Sequence, residues 1–186
     1  MKYLARDVIN SANQQNFSHP FSISDAQKVL DASPGPIKIA RCIFAWDDIN
    51  GLLTIHKAQD VLNSANQQNS PHTFSISDAQ KVLDASPARV NFGNCYFIWD
   101  DVGGILIIST AQDVLDKANQ QNFPYPFTID DAQKVLDASP ERIKIGRCYF
   151  TWDDVDGTLT INCPEEPKLD HRHPADPRAP KPRKPR

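Results

Sequence analysis

Two hydrophobic rhythms run through this chain and return at a fixed interval. Ala58, Val61, Leu62 and Ala65 take the i, i+3, i+4 and i+7 places of one helix face, as do Ala111, Val114, Leu115 and Ala118, with Thr110 or Ser109 ahead of the latter as an N-cap. A second helix is predicted from a Ser77-Asp78 cap through Ala85, ended by Pro87, because proline disfavours helix for the residue before it. Ahead of that helix, Phe74-Ser75-Ile76 alternates as a brief strand would. The second rhythm has period two: Cys95, Phe97 and Trp99 share one face of a strand, and Tyr96, Ile98 and Asp100 the other. Cys, Phe and Trp are the same in all copies, so theirs is the expected inner face. The turn dipeptides Asn50-Gly51, Gly103-Gly104 and Asp156-Gly157 tolerate positive φ and predict a hairpin. Beyond them Leu53 and Ile55, Leu106 and Ile108, and Leu159 and Ile161 resume the alternation beside Phe and Trp.

The interval is 53 residues: it separates Asp7, Asp60 and Asp113, then Cys42, Cys95 and Cys148, then Trp46, Trp99 and Trp152. The expected fold is therefore α+β, three tandem 53-residue repeats, each with about two short helices, a β-hairpin and a short strand, in the order strand, helix, strand, strand, helix. The divisions fall at 1–58, 59–111 and 112–163, with a Pro-rich basic tail at 164–186 that has no apolar periodicity and reads as disordered. Domains near 60 residues bury only about 60% of their unfolded surface. The copies are accordingly expected to share one interior, either stacked openly or closed in a pseudo-three-fold ring in which the N-terminal helix completes the last unit.

Charge changes the picture in one respect. The chain of 186 residues carries a net charge of −3, but its tail holds seven basic and four acidic residues, leaving the body at −6. Duplex binding rests on Lys and Arg contacts to phosphates, so the body is a poor phosphate surface. The three equivalent cysteines lie far apart on the apolar face and are expected to be buried and reduced. No apolar run approaches the roughly 20 residues of a membrane span, and residues 1–6 lack the apolar stretch of a secretion signal. Those features predict a cytoplasmic protein that does not enter membranes.

Catalytic chemistry is sparse, and a non-enzymatic protein without cofactor or metal is the expectation. No phosphate loop, nucleophile elbow or His-Glu zinc motif occurs. The pairs Asp47-Asp48, Asp100-Asp101 and Asp153-Asp154 precede the turn glycines; Asp153 to Gly157 has part of a calcium loop but lacks its later bidentate acid, and hairpin-turn chemistry is favoured. In the tail, Asp170 to His173 offers weak metal ligands, for which a solvated role is preferred. Asp25 to Pro34 recurs unchanged in each copy, with Lys28, Lys81 and Lys134 on a solvated helix face.

The polar segment Asn13-Gln14-Gln15-Asn16 also recurs unchanged, as Asn66-Gln67-Gln68-Asn69 and Asn119-Gln120-Gln121-Asn122. Four amides at a helix end offer donors and acceptors without charge, either for a ligand or for capping the helix. These twelve residues are the candidate binding sites of a multivalent interaction scaffold whose expected partner is a protein, its oligomeric state left open. The alternative is single-stranded nucleic-acid or carbohydrate binding through the same amides, with Tyr96 and Tyr149 stacking on bases and the tail on phosphates.

Overall fold

The computed structural model describes residues 2–165. Within them the chain runs three times through helix, helix, strand, strand, strand. The first unit comprises α1 (Ala5–Gln14), α2 (Ile23–Ala32), β1 (Ile37–Ile39), β2 (Cys42–Asp47) and β3 (Leu52–His56). The second comprises α3 (Ala58–Gln67), α4 (Ile76–Ala85), β4 (Val90–Phe92), β5 (Cys95–Asp100) and β6 (Ile105–Ser109). The third comprises α5 (Ala111–Gln120), α6 (Ile129–Ala138), β7 (Ile143–Ile145), β8 (Cys148–Asp153) and β9 (Thr158–Asn162). Each unit has its own three-stranded antiparallel sheet, with the first hairpin strand at its centre. The α+β triplicate is present; the order of its elements differs from the one predicted.

Capping accounts for the difference. Ser75 Oγ accepts from the Asp78 amide at 3.1 Å while the Asp78 carboxylate accepts from the Ser75 amide at 3.1 Å. This reciprocal cap starts α4 at Ile76 and leaves Phe74-Ser75-Ile76 no freedom to extend as a strand. Ser22 with Asp25, and Thr128 with Asp131, repeat it. The short strand lies on the other side of the helix, in Val90-Asn91-Phe92, which pairs Val90 with Phe97 and Phe92 with Cys95. The hairpin is in the expected register: Trp46 faces Leu53 and Phe44 faces Ile55, with the same pairs in the other two units. Its loop has four residues, closed by the Gly51 amide on the Asp47 carbonyl at 2.8 Å, with positive φ only at the glycine.

A single shared interior is not what forms. Three separate clusters each gather the buried strand Phe, one Trp and the apolar face of one helix pair. Phe44, Phe97, Phe150 and the three tryptophans are all buried, and each such side chain contributes about 2–3 kcal/mol of transfer free energy to its own unit. Helix α1 packs on β3, as α3 does on β6 and α5 on β9, so the first helix belongs to the first unit and does not complete the third. Neighbouring units meet through the outer sheet face: Ile43 of β2 joins the second cluster, and Tyr96 of β5 packs against the third.

The cysteine expectation also needs correction. Cys42 and Cys95 are free thiols, but Cys148 is bonded to Cys163, a residue just beyond β9 with no cysteine counterpart in the other units. From residue 166 onward the expected tail lies outside the described residues.

Candidate binding surface

The repeated amides divide by role. Gln15, Gln68 and Gln121 donate from Nε2 to the carbonyls of Leu53, Leu106 and Leu159 at 2.6, 2.7 and 2.7 Å, pinning each helix end to the strand opposite the buried Trp. Asn16, Asn69 and Asn122 adopt φ of 51°, 50° and 51°, the left-handed conformation that ends a helix and that asparagine tolerates. Asn13, Gln14, Asn66, Gln67, Asn119 and Gln120 are exposed. The second pair of each segment is therefore built into the fold, and the first pair faces solvent.

Gln14 and Gln120 line equivalent grooves between the first helix of a unit and its hairpin turn. The groove of the first unit, about 360 Å³, is walled by Asp7, Asn10 and Gln14 on α1 and by Gly51 and Leu52 on the turn. That of the third, about 350 Å³, sets Asp113, Asp116, Lys117 and Gln120 against Val155, Asp156 and Gly157. Buried Trp152 closes its floor, and its Nε1, like those of Trp46 and Trp99, has no hydrogen-bond partner within the protein.

Turn chemistry fixes what stands at the groove rim. The Asp47 carboxylate accepts from the amides of Ile49 at 2.8 Å and Asn50 at 3.1 Å, and from Asn50 Nδ2 at 2.6 Å. The Asn50 side chain, followed by the two amides, holds this carboxyl below its ordinary pKa. Asp100 and Asp153 receive the corresponding amides of Val102 and Val155. The second acid of each pair turns the other way: Asp48, Asp101 and Asp154 accept from Ser33, Ser86 and Ser139 Oγ at 2.7–2.8 Å. Adjacent carboxylates thus serve two separate structural bonds, one at the end of the strand and one at the start of the turn.

These bonds hold an aliphatic side chain out into water. Ile49, Val102 and Val155 are 89%, 93% and 65% exposed at the same point of each turn. Sequence reasoning passed over them, although an apolar residue between an acidic pair and a turn glycine, three times over, was there to be read.

Two expected groups are elsewhere. Tyr96 is not an exposed stacking platform: Arg89 lies 3.9 Å from its ring centroid, and its hydroxyl donates to Asp137 at 2.8 Å across the boundary between the second and third units. Desolvation pushes the Cys42 and Cys95 thiols up, which disfavours the thiolate. Among the described residues no helix is long and apolar enough to cross a membrane. The chain matches no family model, no curated protein and no solved structure.

Proposed function

We propose that the protein is a non-enzymatic scaffold that binds a protein partner at equivalent sites, each made of a hairpin tip and the amide-lined groove beside it. The observation that carries this reading is the threefold display of Ile49, Val102 and Val155, exposed yet fixed by carboxylate-to-amide bonds. A turn whose backbone is fixed before contact loses little conformational entropy on docking. Asp47, Asp100 and Asp153 beside the tips, on a body of charge −6, suit a partner whose apolar pockets are rimmed by Lys and Arg. Equivalent sites also gain avidity from modest single contacts.

Affinity capture with the wild-type chain, then with Ile49→Ser/Val102→Ser/Val155→Ser, tests the reading. The recovered partner should titrate at more than one copy per wild-type chain and be lost from the triple variant, whose melting point should scarcely move because the three positions are exposed. A partner retained by the variant, or bound once per chain, would overturn it.

A further inference from the structure

The two boundaries inside the chain follow one scheme. At the first, the Lys38 ammonium of β1 donates to the Asp84 carbonyl and, at 2.7 Å, to the Ser86 carbonyl at the C-terminal end of α4, while Ile43 enters the second cluster. At the second, Arg89 donates to the carbonyls of Leu136 and Asp137 at 2.8 and 2.9 Å at the same end of α6, and reaches Asp154 at 3.4 Å. Tyr96, the counterpart of Ile43, packs against the third cluster and bonds Asp137. Each time a cation on the sheet edge of one unit caps the carbonyl end of the next unit's second helix, where the macrodipole is negative, and an apolar residue beside it enters the neighbouring core.

Among the described residues, the same two surfaces recur at the ends of the triplicate with no unit upon them. On the third unit, Arg142 (counterpart of Arg89), Lys144 (of Lys38) and Tyr149 (of Tyr96) combine the cations of both internal boundaries; Arg142 and Lys144 lie over the Tyr149 ring at 4.5 and 5.7 Å. On the first unit, Asp25 to Pro34 is identical in sequence to the accepting block of the other units. Gln27 bonds Asp31 at 2.8 Å just as Gln133 bonds Asp137. Yet Leu83 and Leu136 are 1% and 0% exposed and Ser86 and Ser139 are buried, whereas Leu30 and Ser33 are only half-buried and Asp48 is exposed. Identical residues differ here because a preceding unit covers two of the three blocks.

We infer that copies of this chain associate head to tail, with Arg142, Lys144 and Tyr149 of one copy seated on the carbonyl end of α2, Asp31 and Asp48 of the next. The interface continues the internal boundary, and the charges are complementary: two cations meet two carboxylates. One contact of the internal scheme is already supplied within the copy, since Tyr3 packs edge-on to Trp46 at 5.2 Å in the place that His56 takes against Trp99 at 5.3 Å. Being heterologous, the contact leaves a free face at each end and extends into chains or a ring.

Sedimentation of the full chain over a concentration series tests this. The mean mass should rise with concentration and fall with added salt, as screening weakens ion pairs. Arg142→Glu/Lys144→Glu and Asp31→Ala should each weaken association by at least about tenfold, the loss of about 1.4 kcal/mol. Mixed in equal amounts, these two variants should give a dimer and nothing larger, because each retains the face the other lacks. A wild-type chain that stays monomeric up to about 1 mM overturns the inference, and that measurement needs no variant to fold. So does a mixture of the two variants that stays monomeric while both keep the wild-type circular dichroism spectrum, or a wild-type chain that remains monomeric alone while a foreign protein occupies the α2 face.

Discussion

Single residues depart from the repeat where their surroundings do. The two-residue turn between β1 and β2 places Ala40 at φ 48° and Arg41 at φ 63°, whereas the counterparts of Ala40 are Gly93 and Gly146, both at positive φ. A side chain at positive φ costs about 1–2 kcal/mol, and glycine gives back part of that gain through its unfolded-state entropy. Ala40→Gly should stabilise the chain by up to about 1 kcal/mol, read as a shift in the denaturation midpoint without a change of slope. Gln68 illustrates the opposite case. Its Nε2 reaches both Leu106 O at 2.7 Å and Ser64 Oγ at 3.1 Å, so Gln68→Ala should destabilise the second unit by about 1 kcal/mol while the exposed neighbour Gln67→Ala stays near neutral. Nothing in the amide segment itself distinguishes these residues, because a helix end and a ligand site ask for the same donors and acceptors. Only the left-handed turn at Asn69 and the distance to the return strand separate them.

At the scale of elements, the hairpins were legible because alternation, turn glycine and period all agree, and Trp faces Leu in every copy. The second helices were legible in extent but not in their start: Ser75 and Ser77 are both hydroxyls two residues apart, and the three-residue step from Ser75 to Asp78 decides between them. The short strands β1, β4 and β7 are three residues each, too brief for a period-two pattern to stand out from a loop. Caps of this kind respond to acid. Hydrogen bonds from Ser22 hold the Asp25 carboxyl below its ordinary pKa, and those from Ser75 and Thr128 do so for Asp78 and Asp131. A group with a lower pKa folded than unfolded binds fewer protons when folded. Its stabilising contribution is complete above about pH 3.9 and is lost as the pH falls from there through the folded value. Far-UV circular dichroism on acid titration should show helix loss in that window, shallower in Asp25→Asn/Asp78→Asn/Asp131→Asn, which no longer carries the ionisable caps.

For the whole molecule, what the sequence concealed was the division of the core. Stacking implies a common interior, but on the face that varies between copies Ile43 and Tyr96 are turned toward a neighbouring unit, and a period count sees only what stays the same. Three small cores coupled at their edges behave approximately as a one-dimensional array, in which stability is a sum of unit and boundary contributions. Arg89, stacked on the Tyr96 ring of its own unit, holds the second boundary through two carbonyls and a carboxylate. Arg89→Ala should cost about 1–3 kcal/mol in boundary stability and split or broaden calorimetric unfolding, the third unit separating from the first two. A transition as sharp as the wild type would mean that the units are coupled elsewhere.

The block from Asp25 to Pro34, present unaltered in every copy, makes the modules interchangeable at their joints. Splicing a duplicate of 58–110 in frame after residue 110 would lengthen the protein by one 53-residue step, with each new seam formed from side chains already compatible in the parent. Length can then drift by whole modules without any redesign of what lies between them.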